Sequence, residues 1–222
     1  MSANESVRES VGSSDDDTTR DLSLCHENVS ETNRPHLDPS DLAIIEAQLG
    51  RTPRGAVDVA WRCPCGKPGV VKTAPRLPDG TPFPTTYYLT CPRATKICST
   101  LEGSGMMLEM TQRLGEDPDL AAHYHQAHES YLTDRDSLAQ DLGLEVPQIS
   151  GISAGGMPDR VKCLHTLVAH CLAKGPGVNP LGDEACAAMG EFWATPCLDG
   201  TVLDPAINTQ DDNKDDDMKG TP

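Results

Sequence analysis

The chain has 222 residues, 37% apolar and only 4% aromatic, and a net charge of −16. No apolar run approaches the roughly 18 residues of a membrane-spanning helix, and the opening MSANESVRESVGSSDDD has no apolar segment of the kind that directs secretion. A cytoplasmic protein is expected, and its nine cysteines then point to metal ligands, buried thiols or chemistry rather than to a disulfide framework.

Residues 1–36 hold eight acids against three arginines, and residues 199–222 hold seven aspartates against two lysines, each with a net charge of −5. Such segments bury too little apolar surface to offset the entropy of ordering, so both are expected to be disordered acidic tails. Residues 37–198 remain, with net charge −6, and suffice for a single domain with its own core. LDPSDLAIIEAQLGR, residues 37–51, predicts a helix capped by Asp38 or Ser40, with Leu42, Ile45 and Leu49 at helical spacing and Gly50 as its stop. GAVDVAWRCP sets Val57, Val59 and Trp61 on one strand face, GVVKTAP predicts a second strand, and the Pro- and Gly-dense APRLPDGTPFPT a loop. TTYYLTCP predicts a third strand ending at Cys91.

Helical patterns follow. TLEGSGMMLEMTQRL predicts one helix, and DPDLAAHYHQAHESYLTDRDSLAQDLGL a longer one with Leu120, Tyr124, His128, Tyr131 and Leu138 along a stripe. ISAGGMPDRVKCLHTLVAHCLAKGPG predicts a helix with Pro158 in its first turn, a core stripe of Val161, Leu164, Val168, Cys171 and Leu172, and a stop at Lys174–Gly175. NPLGDEACAAMGEFWATP predicts a last helix ended by Pro196. The order gives an α+β fold, a small antiparallel sheet of about three strands packed with about five helices and joined by a Cys-ligated metal site.

Cys63-Pro-Cys65-Gly66 is a tight turn carrying two thiols, and Gly66 frees the backbone so that amides can point at sulfur. If the first and third strands share a sheet, Cys91 reaches the same place. The fourth ligand is then expected from Cys163, with His165 in reserve. Residues two apart on a regular helix point about 200° from each other, so both would serve one ion only if that turn were distorted. Zinc is the expected metal, with an iron–sulfur cluster as the alternative. Cys171 and Cys186 read as packing, while Cys98 and Cys197 have no assigned role. Cys25 falls in the acidic tail. His128 lies on the apolar stripe and reads as a hydrogen-bonded core histidine.

Residues 51–96 carry eight cations (Arg51, Arg54, Arg62, Lys67, Lys72, Arg76, Arg93, Lys96) against Asp58 and Asp79. Four thiolates on Zn²⁺ leave a local charge of about −2, which nearby cations stabilise. Charge beyond that balance suits an anion. Gly155 and Gly156 before a helix N-terminus, with Arg160 and Lys162 beside it, suggest the same. Arg54, Arg62, Gly155, Gly156, Arg160 and Lys162 are therefore the expected anion-binding residues. The loop lacks the patterns of a nucleotide site, and nucleic acid binding has no motif to support it.

RTPRG, RCPCGKPGVVKTAPRLPDGTPFPTTYYLTCP, GISAGGMPDRVKCLHTLVAHCLAKGPGVNPLGDE and the late W…PC together resemble the actinobacterial family called "domain of unknown function 501". The resemblance spans roughly residues 40–198 and carries Cys63, Cys65, Cys91, Cys163, His165 and His170, whereas Cys98, Cys171 and Cys186 stand outside its pattern. It implies a cytosolic protein with no assigned activity, whose genes neighbour those of cell division and phosphate metabolism. Two functions compete. One is an interaction or regulatory module with a structural zinc site and a basic surface for a protein or anionic ligand. The other is an enzyme acting on a phosphorylated or carboxylated small molecule through Gly155, Gly156, Arg160, Lys162 and His165.

Overall fold

The computed structural model of the protein describes residues 37–195 and residue 197, so both acidic tails and Cys25 lie outside the described residues. Helix α1 (Pro39–Leu49) starts where Asp38 accepts the Ser40 N–H at 2.8 Å, with Pro39 at the first helical position, where its missing N–H costs nothing. Gly50, at φ 65°, ends it. Strands β1 (Ala56–Arg62), β2 (Pro68–Thr73) and β3 (Tyr87–Leu89) form an antiparallel sheet in the order β1-β2-β3.

Register shifts in β1 leave Val57, Val59 and Trp61 all partly exposed rather than cleanly on a buried face. In β2 and β3 the alternation is regular. Val70 lies opposite Leu89 and Lys72 opposite Tyr87, and Val70, Leu89 and Tyr87 all join the core. Val71, Thr73 and Tyr88 take the other face, because successive strand residues point to opposite sides.

Among the described residues there are six α-helices rather than about five. After α2 (Pro92–Gly103) come α3 (Met106–Glu116), α4 (Pro118–Asp141), a short 3₁₀ turn (Pro147–Ile149), α5 (Leu164–Lys174) and α6 (Pro180–Met189). The extra one is α2, which begins directly after β3. Its N-cap is Cys91, which makes no side-chain cap hydrogen bond, so the usual Ser, Thr, Asp or Asn signature is missing from the sequence.

A second correction concerns α5, which starts at Leu164 and not near Pro158. The intervening chain closes on itself, with Lys162 N–H on the Gly155 carbonyl at 2.8 Å and Arg160 N–H on that of Gly156 at 3.1 Å. Val161 N–H instead meets Thr111 Oγ1 at 3.0 Å. Residues 156–163 therefore have no run of amides free to begin a helix.

Helix α5 is the centre of the molecule. Leu164, Leu167, Val168, Ala169 and His170 are fully buried, as expected of a helix surrounded by other elements. β3, α2 and α6 pack on it. The approach of α6 is close: a Cβ on Gly182 would lie 2.6 Å from the Leu167 carbonyl oxygen. On α4 the buried stripe is Tyr124, Ala127, His128, Tyr131, Arg135, Leu138 and Ala139. Tyr131 and Tyr87 enclose the His170 ring, at centroid separations of 5.1 and 5.7 Å.

Candidate metal centre

The hairpin between β1 and β2 closes at residues 63–67, with Cys63 N–H on the Lys67 carbonyl at 2.9 Å and Gly66 N–H on that of Cys63 at 2.8 Å. Gly66 has φ 84°, a region other residues seldom adopt. β3 runs antiparallel to β2, so its C-terminal end returns to the same end of the sheet, and Cys91 N–H reaches the Gly69 carbonyl. Topology thus brings Cys63, Cys65 and Cys91 to the same end of the sheet, with no three of these sulfurs within 4.8 Å of one another.

The thiol that joins them is Cys197. Its sulfur lies 3.9 Å from that of Cys65 and 3.7 Å from Gln48 Nε2, and it shares a hydrogen bond with Cys91. Phe192, packed 6.1 Å from the Trp61 ring, guides this C-terminal segment across the sheet end. The four sulfurs run as a chain of contacts, Cys63 to Cys65 to Cys197 to Cys91.

Backbone amides lie near two of these sulfurs. Cys65 N–H is aimed at the Cys63 sulfur, and those of Ala94 and Arg93, in the first turn of α2, lie near that of Cys91 without forming a cap hydrogen bond. Burial pushes the Cys63 thiol up to about 11. The Cys91 thiol is raised by its hydrogen bond to Cys197 and by burial. Cys197 is held down at about 5, by that same hydrogen bond first and then by Gln48, Cys65 and the charge of Lys67. The charge of Lys67 favours the thiolate form of Cys197.

Cys163, the expected fourth ligand, is elsewhere. It is the N-cap of α5, in extended conformation at φ −156° and ψ 113°. Because it lies outside the helix, the helical geometry that would separate it from His165 does not apply. Its sulfur is 3.8 Å from His165 Nδ1, which is 3.0 Å from Glu102 Oε1. Glu102 stands near the C-terminal end of α2 and Cys91 at its start, about 16 Å apart along the axis at about 1.5 Å per residue. Glu102, Cys163 and His165 are the one group among the described residues whose three ligand atoms all lie within 4.8 Å of one another.

The expected anion-binding residues are largely committed to partners. Arg62 forms a two-pronged ion pair with Asp41, and Arg54 pairs with Asp79. The N-terminal amide of α5 is also taken: Leu164 N–H donates to Glu102 Oε1 at 2.6 Å, so the anion at that helix end is the chain's own carboxylate. Gly155 and Gly156 belong to the closed loop, and Arg160 and Lys162 are exposed beside it. On the sheet face away from α5, Arg51 and Arg54 line a cleft of about 400 Å³ together with Val71, Thr73 and Tyr88.

His128 is buried and 2.9 Å from Ser153 Oγ, as its place on the apolar stripe suggested. Cys98 is fully buried against Met189. Cys171 donates to Asp183 Oδ1 at 2.9 Å and contacts Cys186. Two residues escaped sequence reasoning. Cys197 stands beyond the last helix, where no pattern tied it to the sheet. Glu102 sits in LEGSG, and only its pairing with the α5 start marks it out.

The sequence profile described as "Protein of unknown function (DUF501)" matches residues 59–187. That span includes Cys63, Cys65, Cys91, Glu102, Cys163 and His165 and stops short of Cys197. No curated protein and no solved structure matches the chain. With more than half of its length matched, the chain belongs to the DUF501 family.

Proposed function

We propose that the domain is a zinc-stabilised interaction module in which Cys63, Cys65, Cys91 and Cys197 hold one structural Zn²⁺. The observation that carries this reading is the sulfur chain. Tetrahedral zinc with Zn–S of about 2.3 Å has sulfurs about 3.8 Å apart, and Cys65 and Cys197 stand at 3.9 Å. Amides near the Cys63 and Cys91 sulfurs supply the outer-shell donors that such ligands need. Lys67 beside Cys197 offsets the negative charge of a four-thiolate ion, which gives the cations around this turn a purpose. The ion would tie the C-terminal segment and the start of α2 to the β-hairpin.

Zinc analysis of freshly purified protein, with thermal melting before and after prolonged chelation, tests this. Zinc without visible absorbance is expected, whereas charge-transfer bands in the visible would indicate an iron–sulfur centre. Chelation should lower Tm by on the order of 10 °C or more, from several kcal/mol of lost metal binding at about 2–4 °C each. Cys197→Ser should release the metal as readily as Cys91→Ser does. An unchanged Tm after complete metal removal rejects the reading.

The interaction role rests on the cleft that carries Arg51 and Arg54 within the basic stretch. Retention on a polyanion such as heparin should fall with salt and with Arg51→Glu. Retention insensitive to both would remove the cleft from the proposal.

A further inference from the structure

The second cluster has a charge problem that hydrogen bonding alone leaves open. His165 Nε2 lies 3.2 Å from the Thr95 carbonyl oxygen and 3.5 Å from Ser99 Oγ. A carbonyl only accepts, so Nε2 carries the hydrogen, and Nδ1 of the neutral ring then presents a lone pair. That lone pair faces a carboxylate oxygen at 3.0 Å and a sulfur at 3.8 Å. Three electron-rich atoms converge, and a cation has to sit among them, either a proton on Nδ1 or a metal ion.

The spacing accommodates a metal. In a tetrahedral zinc site, bonds of about 2.0–2.1 Å to nitrogen and oxygen and about 2.3 Å to sulfur set ligand atoms roughly 3.3 Å (N to O) and roughly 3.6 Å (N to S) apart. The observed N-to-O separation of 3.0 Å is slightly shorter and the N-to-S separation of 3.8 Å slightly longer than these values. Histidines that bind metal through one nitrogen usually donate from the other to a backbone carbonyl or carboxylate, and Thr95 O fills that role here. Leu164 N–H holds the Glu102 carboxylate in the same way. The imidazole and carboxylate side chains are 25% and 23% exposed, enough for an ion to enter and for one coordination position to face solvent.

We propose that Glu102, Cys163 and His165 bind a second divalent transition metal, Zn²⁺ by ligand type, through one oxygen, one sulfur and Nδ1, with the fourth position open to water. Three protein ligands and one exchangeable site is the arrangement of catalytic rather than structural zinc. The mixed donor set suits zinc and disfavours calcium or magnesium, which take oxygen ligands. This site is independent of the four-thiol centre. The two share no ligand, although His165 reaches back along α2 to the Thr95 carbonyl, one turn from Cys91.

The test is metal stoichiometry and X-ray absorption on the full chain. His165→Gln and Cys163→Ser should each lose one equivalent of zinc relative to wild type, while Cys91→Ser retains that equivalent. Cobalt substitution separates the sites, since four thiolates give far stronger sulfur-to-metal bands than a single thiolate. If the variants melt abnormally, the wild-type zinc edge decides: nitrogen and oxygen in the first shell support the second ion, and an all-sulfur shell rejects it. Zinc content and cobalt spectra unchanged in both His165→Gln and Cys163→Ser would overturn the proposal and leave an imidazolium–thiolate pair.

Discussion

Lowering the pH from 7 to 4.5 should destabilise this domain through His170, by an amount the structure sets. The ring is fully buried, stacked on Tyr87 and edge-on to Tyr131. Its Nδ1 lies 3.3 Å from Asn179 Nδ2, and its Nε2 is without a hydrogen-bond partner among the described residues. Burial holds its pKa down at about 4, against 6.5 for a free imidazole; Asp134 pulls it upward and Lys174 downward. Between those two values the unfolded chain binds a proton that the native chain refuses.

Stability is therefore full above about pH 6.5 and is lost as pH falls towards 4, with a limiting slope of about 1.4 kcal/mol per pH unit. By pH 4.5 the loss amounts to roughly 2–3 kcal/mol, or about 5–10 °C in Tm for a domain of this size. Denaturant melts of wild type and His170→Phe across that range, with an NMR titration of the His170 ring, measure it. The variant should lose this part of the acid limb. His128, also lowered chiefly by burial, contributes in the same direction in both proteins and cancels. A native His170 titrating near 6.5, or a variant with the wild-type slope, would refute the reasoning.

Three further outcomes follow from packing and hydrogen bonding. Gly182→Ala places a methyl group 2.6 Å from the Leu167 carbonyl, so α6 must move off α5 at a cost of about 1–3 kcal/mol; a Tm within 1 °C or so of wild type would contradict that close approach. Tyr131→Phe removes the hydroxyl that accepts the buried Thr86 N–H at 2.7 Å, which should cost about 1–3 kcal/mol in denaturant melts. Asp41→Asn weakens the pair with Arg62, whose side chain is 50% exposed, and solvent screening limits the loss to about 1 kcal/mol; the difference should shrink further at high salt.

Local rules were enough to read the elements whose own residues announce them. Asp38-Pro39 and Gly50 bracket α1, the β-branched and aromatic residues of β2 and β3 announce strands, and the stripe through Tyr124, His128 and Tyr131 marks α4. That Cys63, Cys65 and Cys91 stand at one end of the sheet was also legible, because an antiparallel meander must return β3 to the β1–β2 turn. Other features depend on partners distant in the chain. Cys197 reaches Cys65 from beyond α6, in a segment where Phe192 packs on Trp61. The start of α5 is set by Glu102, 62 residues earlier, which takes the Leu164 amide while the 155–162 loop closes on itself. Helix and strand signals lie in the spacing of neighbours along the chain, so the sequence carries them by itself. A metal ligand set or a borrowed helix cap is a matter of distance between segments, and only the packed core brings those segments together.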